Sequence, residues 1–147
     1  MTSGVALTLR NHDHTEDYTE YLDQLTSTDY ETVIEGAMFL TEEQGGSDVG
    51  AAETDAEPVV APHQATESSA AQAKATQDGG ELQTREYKLT GEKWFCSNID
   101  AQGTLALARR PGAPDGTKGL SLFLVPHELP SGELNEQRYR RLKDKLG

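Results

Sequence analysis

Thr41-Glu42-Glu43-Gln44-Gly45-Gly46-Ser47-Asp48 follows directly on the apolar run Ala37-Met38-Phe39-Leu40. A strand that runs into a hydroxyl, two acids, two glycines and a serine supplies rigid backbone groups, and its glycines let the chain come close to a bulky ligand. Further along lies a second polar-aromatic cluster, Lys93-Trp94-Phe95-Cys96-Ser97-Asn98. A planar redox ring needs backbone donors and acceptors along its polar edge, a hydroxyl near its reactive atoms and an aromatic wall. Strand Met38–Thr41 and strand Phe95–Ser97 hold all three if they are neighbours. The glycine-serine turn then reaches a pyrophosphate or the tail of a thioester ligand. Composition alone favours a plainer account, two ordinary barrel strands and a loop.

Other chemistries fit less well. Gly45-Gly46-Ser47-Asp48-Val49-Gly50 brushes against the G-x-S-x-G elbow of serine hydrolases, but its second glycine falls one residue late and no helical pattern follows. His12 and His14 form an H-x-H pair with no third ligand at a convincing spacing, so no metal site is assigned. Cys96, between an aromatic residue and a serine, reads as a small packed residue rather than a reactive thiol. Glu42 and Glu43 alternate faces if the strand continues, which argues against a paired-carboxylate site. Trp94 and Phe95 alternate likewise, one packing inward and the other left to lie against a ligand.

The elements that must position these residues are mostly short strands. They are predicted near Ala37–Thr41, Tyr87–Leu89, Lys93–Ser97, Thr104–Arg109, Leu120–Val125 and Gln137–Arg141, with turns at Thr90-Gly91 and Pro114-Asp115-Gly116. Tyr18, Tyr21, Leu22 and Leu25 fall on one face of a helix over Thr15–Leu25, capped by Asp13 or Thr15. A helical turn holding Tyr30, Val33 and Ile34 stops at Gly36. The fold class is therefore mainly β, an antiparallel barrel-like domain with a short N-terminal helical segment. Residues 52–85 are poor in large apolar side chains and read as a mobile acidic insertion.

At 147 residues the chain suits one domain with a real core. Its formal net charge of -12 argues against nucleic-acid binding, and no apolar run approaches membrane-spanning length. Scattered acids with only six lysines suggest adaptation to high salt. One cysteine and no signal-peptide pattern place the chain in the cytoplasm. The ending Lys143-Asp144-Lys145-Leu146-Gly147 reads as a cut.

In order along the chain, Thr41, Glu42, Gly46, Ser47 and Asp48 match a T-E-x-x-x-G-S-D pattern, and Tyr87, Leu89, Gly91 and Lys93 match Y-x-L-x-G-x-K. Phe95, Ser97 and Asn98 match aromatic-x-Ser/Thr-Asn, and Gly119 with Phe123-Leu124-Val125 matches G-x-x-x-F-L-V. With these motifs the chain resembles the acyl-CoA dehydrogenase family, FAD-dependent enzymes with an α domain, a middle β-barrel domain and a C-terminal helical bundle. It is similar in particular to the branch that contains the bacterial alkylation-response flavoproteins. The resemblance implies that residues 1–35 end the α domain and that residues 36–147 are an incomplete middle domain carrying the insertion.

It also implies the ligands. Met38, Leu40 and Thr41 would line the flavin's polar edge, through main chain and the Thr41 hydroxyl. Gly46 and Ser47 would touch the FAD phosphates, with Ser47 also facing the acyl-CoA. Phe95 would stack by the isoalloxazine ring and Ser97 would hydrogen-bond near its reactive nitrogen, while Cys96 contributes by backbone if at all. The family's catalytic base is a glutamate of the bundle, so no catalytic residue is assigned. The bundle also carries the oligomer contacts, so the implied partners are acyl-CoA, a C-terminal bundle or a complementary chain, and further copies in a homo-oligomer. The expected function is that of a fragment of a FAD-dependent acyl-CoA dehydrogenase of fatty acid metabolism, inactive alone. The alternative is a non-catalytic β domain acting as an interaction module.

Overall fold

The computed structural model describes residues 1–12, 18–59, 86–129, 131–142 and 144. Helix α1 (Thr2–His12) places Val5, Ala6 and Leu9 on its buried side, and helix α2 (Thr19–Leu25) adds Leu25. These residues form one cluster with Leu105 of the sheet, and Tyr18, Tyr21, Leu22, Ile34, Met38 and Leu124 pack around it. The predicted tyrosine-leucine face is thus the face that α2 buries. Helix α1 went unpredicted, and its apolar stripe becomes a stable helix by docking on the sheet rather than by propensity. Asp13 and Thr15, the expected caps, lie outside the described residues.

Residues 30–34 form a turn rather than a helical segment. Val33 N–H donates to Asp29 O at 2.9 Å, Glu31 N–H donates to Asp29 Oδ1 at 3.0 Å, and Ile34 N–H returns to Gln24 O at 3.3 Å. Tyr30 is 89% exposed, and Gly36 opens a strand instead of closing a helix.

Five strands make one sheet: β1 (Gly36–Phe39), β2 (Asp55–Pro58), β3 (Tyr87–Thr90), β4 (Gly103–Arg109) and β5 (Leu120–Pro126). Strand β4 is the hub. Strand β5 pairs with its whole length in antiparallel register, from Gly103↔Pro126 to Arg109↔Leu120. The other edge carries β1 over Gly36↔Gly103 to Phe39↔Ala106 and then β2 at Asp55↔Arg109, both parallel to β4. Strand β3 closes the row, antiparallel to β2. The sheet is open, a barrel left incomplete, and its pairing is mixed rather than wholly antiparallel. Alternation sends Met38, Leu105 and Leu124 toward the helices. Ala37 and Phe39 point the other way, into a second cluster with Ala101.

Two glycines paired across β1 and β4 let the helices approach. A Cβ on Gly36 would lie 2.8 Å from the Val5 side chain, and one on Gly103 would lie 2.5 Å from the Tyr21 ring. Tyr21 then caps the sheet by donating its hydroxyl to Gln102 O.

Three expectations are corrected. Asp55–Pro58, inside the span read as a mobile insertion, is strand β2. It needs no large apolar residue, because backbone pairing to β3 holds it and Ala56 alone is buried. The remainder of that span, 60–85, lies outside the described residues. Lys93–Ser97 is not a strand: Phe95 and Asn98 have φ of 60° and 61°, which turn the chain twice. Gln137–Arg141 joins no ladder. Side chains hold it instead, with Tyr139 donating to Ile99 O at 2.6 Å, Arg140 paired to Glu92 at 3.1 Å, and the Arg141 guanidinium 5.2 Å from the Trp94 ring centre.

Candidate functional site

The two clusters singled out in the sequence are neighbours. As the chain leaves β1, Thr41 O accepts the N–H of Trp94 at 2.8 Å. Just beyond, Cys96 and Ile99 pack against Ala37, Phe39 and Ala101. The contact therefore joins a strand end to a double turn, not two strands.

Each predicted residue has a definite place. Met38 sends its side chain toward the helices, where it packs on the Val5–Leu105 cluster, so only its main chain can serve the site. Leu40 and Thr41 are half-buried and line a shallow depression with Glu42, Gly45, Gly46, Asp48, Val49 and Ala52. Gly46 and Ser47 are exposed at its rim. Gly46 has φ of 34°, and the space where its Cβ would lie is open, so nothing keeps a ligand off its backbone. Phe95 is 62% exposed, in edge contact with Trp94 at 6.2 Å between ring centres. Ser97 is exposed, its N–H turned to Phe95 O at 3.1 Å. Cys96 is half-buried, and its thiol is pushed up by burial against the opposing pull of Lys93, which leaves it protonated and inert at neutral pH. Among the described residues no cluster of His, Cys, Asp and Glu could hold a metal ion. His14 lies outside those residues.

Sequence reasoning overlooked the residue on which this arrangement turns. Glu42 is 4% exposed, and both its oxygens are fully engaged. Oε1 accepts from Lys93 Nζ at 2.6 Å, from Thr54 N–H at 3.1 Å and from the Thr54 hydroxyl. Oε2 accepts from Glu53 N–H at 2.6 Å and Gln44 Nε2 at 2.9 Å. Burial alone would raise this carboxyl, but the hydrogen bonds, led by Lys93, outweigh it and hold it at about 2. The signal was available, since Glu42 and Lys93 both sit at motif positions. Neither residue type announces a buried pair, because most glutamates and lysines are solvated.

Gly91 shares in the arrangement. A Cβ there would meet Thr54, 2.7 Å from its Cα and 2.8 Å from its Cβ. Gly91→Ala must therefore push Thr54 away from Glu42, and it is expected to cost about 1–3 kcal/mol of stability. Urea unfolding checks this; a midpoint matching wild type would show that the 52–54 segment yields freely.

No family model matches this sequence. The chain is 39% identical over 110 residues, 75% of its length, to AidB of Escherichia coli (strain K12), which is assigned as an acyl-CoA dehydrogenase. It is 35% identical over 134 residues, 88% of its length, to acyl-CoA dehydrogenase family member 11 of Caenorhabditis elegans. Over 136 residues it is 35% identical to the 3-methylmercaptopropionyl-CoA dehydrogenase of Ruegeria pomeroyi (strain ATCC 700808 / DSM 15171 / DSS-3), covering 86% of this chain. The chain belongs to the acyl-CoA dehydrogenase family. It spans only 15%, 18% and 19% of the length of those three relatives.

One solved structure agrees with this acyl-CoA dehydrogenase assignment, and a second shares the fold. The fold matches Caenorhabditis elegans ACDH-11, crystallised in complex with C11-CoA, with a TM-score of 0.70 and 31% identity, covering 99% of this chain and 22% of that one. It matches the apo form of Bd2924 with a TM-score of 0.77 and 35% identity, covering 100% of this chain and 26% of that one. The open mixed sheet with its two short helices is thus part of a larger architecture in both.

Proposed function

We propose that this chain forms the flavin-facing β portion of an FAD-dependent acyl-CoA dehydrogenase. The observation that carries the reading is the hydrogen bond from Trp94 N–H to Thr41 O, 2.8 Å long. It ties the residue that opens the Thr41–Ser47 turn to the residue just before Phe95. The residues there suit a dinucleotide with a planar ring. They are an exposed aromatic ring, two exposed serines, a half-buried threonine and a backbone left open at Gly46. Bound FAD would supply a ring that accepts a hydride from the β-carbon of an acyl thioester.

The chain's own part is positioning. Main chain of Met38 and Leu40, with the Thr41 hydroxyl, would run along the ring's polar edge. Gly46 and Ser47 would meet the phosphates, Phe95 would lie against the ring, and Ser97 would donate near its reactive nitrogen. Ser47 would also face the acyl-CoA, a ligand class supported by the C11-CoA complex of ACDH-11. The base that removes the α-proton is assigned, by resemblance, to a glutamate of the C-terminal bundle, which also would carry oligomer contacts. Turnover would need that glutamate, from the bundle or a complementary chain, acting beside the residues above. No helix among the described residues is long and apolar enough to cross a membrane. The acidic excess fits a cytoplasmic protein working at high salt, where screening removes self-repulsion.

The purified chain is expected to bind FAD, seen as quenching of flavin fluorescence, and to leave an electron-accepting dye unreduced when acyl-CoA is added. Clear turnover would overturn the assignment of the base to the bundle. A folded chain with no flavin affinity would instead favour the interaction-module reading.

A further inference from the structure

We propose that Glu42 and Lys93 are positioning residues whose ion pair, 2.6 Å long, fixes the spacing between the Gly45–Ser47 turn and the Phe95–Ser97 turn and so sets the affinity for flavin. The proposal rests on the flavin reading above. Neither residue needs to touch the ligand. Five hydrogen bonds fall on the two oxygens of Glu42, which leaves neither oxygen for anything else.

The geometry is that of a two-point clamp. Thr41 and Trp94 are joined through the backbone, and the next residue after one, Glu42, is joined to the residue just before the other, Lys93. One bond alone would leave a hinge between the two turns. Two bonds at adjacent positions remove the rotation. The carboxylate also holds the start of β2 through Glu53 and Thr54, so the clamp is anchored to the sheet and not to a loose loop. The side chains are 10% and 4% exposed, so water and salt have little access to compete. An apolar pair would hold the segments together as firmly. It would not hold them in one direction, and a flat ligand gripped from two sides needs direction.

Trp94 is the chain's single tryptophan, and it reports on the clamp from within. The informative variant is Glu42→Gln/Lys93→Met. Gln keeps an acceptor oxygen for one of the Glu53 and Thr54 N–H groups, which bond different oxygens of Glu42, and Met fills the volume of the lysine stem. Glu42→Gln alone is the second variant, since the freed ammonium can swing to solvent. Each variant that keeps the wild-type far-UV circular dichroism is expected to show at least twofold greater acrylamide quenching of Trp94. Its FAD dissociation constant should rise at least tenfold, and Lys93→Arg, which keeps a cation beside Glu42, should stay within twofold of wild type in both. A folded variant with wild-type quenching and wild-type FAD affinity overturns the clamp. Wild-type protein that fails to bind FAD sinks the flavin reading instead, and the Trp94 quenching still decides whether the pair positions the turn.

Discussion

Glu42→Ala is expected to lower the unfolding free energy by about 3–5 kcal/mol, the cost of breaking a buried pair from one side. The substitution strands more than one charge. Lys93 keeps an ammonium at a site that is 10% exposed, and the N–H groups of Glu53 and Thr54 lose their shared acceptor. Each donor left without a partner in the interior adds a desolvation penalty. Urea or guanidinium unfolding of wild type and variant side by side measures the difference. A loss below about 1 kcal/mol would mean that water enters and replaces the carboxylate, and that the pair behaves as a surface contact.

The same carboxylate should make stability fall at acid pH. Its folded value of about 2 lies below the ordinary 4.5, so the folded state favours the ionised form. A depressed value adds stability above the ordinary value, and that stability is lost as pH falls from about 4.5 toward 2. The contribution at neutral pH is about 3 kcal/mol, at 1.36 kcal/mol per unit, of the same order as the mutational loss. The test compares wild type with Glu42→Gln across pH. Their stabilities should differ by a constant amount above about pH 5 and converge as the wild-type carboxylate takes its proton. Curves that stay parallel down to pH 2.5 would show that Glu42 titrates like a solvated acid.

The sequence made four of the five strands readable, because β1, β3, β4 and β5 carry apolar side chains at strand spacing between clear turns. It made α2 readable too, from four large side chains on one face. What it hid was held by other forces. Strand β2 depends on backbone pairing and one alanine, a pattern that hydrophobicity does not reveal. Helix α1 mixes Gly4, Thr8 and several small residues, and it is settled by contact with Leu105 far along the chain. The direction of pairing was hidden as well: β1 and β4 are joined through other strands, so no local turn fixes their sense.

At the site, the motifs brought the right two segments together but gave the wrong local form. Lys93–Ser97 alternates like a strand on paper. In space Phe95 and Asn98 adopt left-handed backbone, a form that asparagine tolerates and phenylalanine adopts only when its surroundings impose it. The buried Glu42–Lys93 pair lies behind residues chosen for their chemistry, and its importance shows only when burial is known.

The parallel pairing of β1 with β4 has a consequence for how the protein is made. Gly36 aligns with Gly103, so the strand that leads into Thr41 leaves the ribosome well before its partner exists. At about 5–20 residues per second the wait is roughly 3–13 s. For most of that time the first half of the surface has neither Trp94 nor Lys93 to hold it. A chain in this state has an unpaired strand and exposed Phe39, and it depends on being kept from other chains until β4 arrives. The delay carries little penalty in final stability, because closure cost grows only by about 0.6 kcal/mol per doubling of loop length. Translation order thus keeps the two halves of the cradle apart until the chain has grown past Ser97, and the strand that backs them, β4, arrives later still.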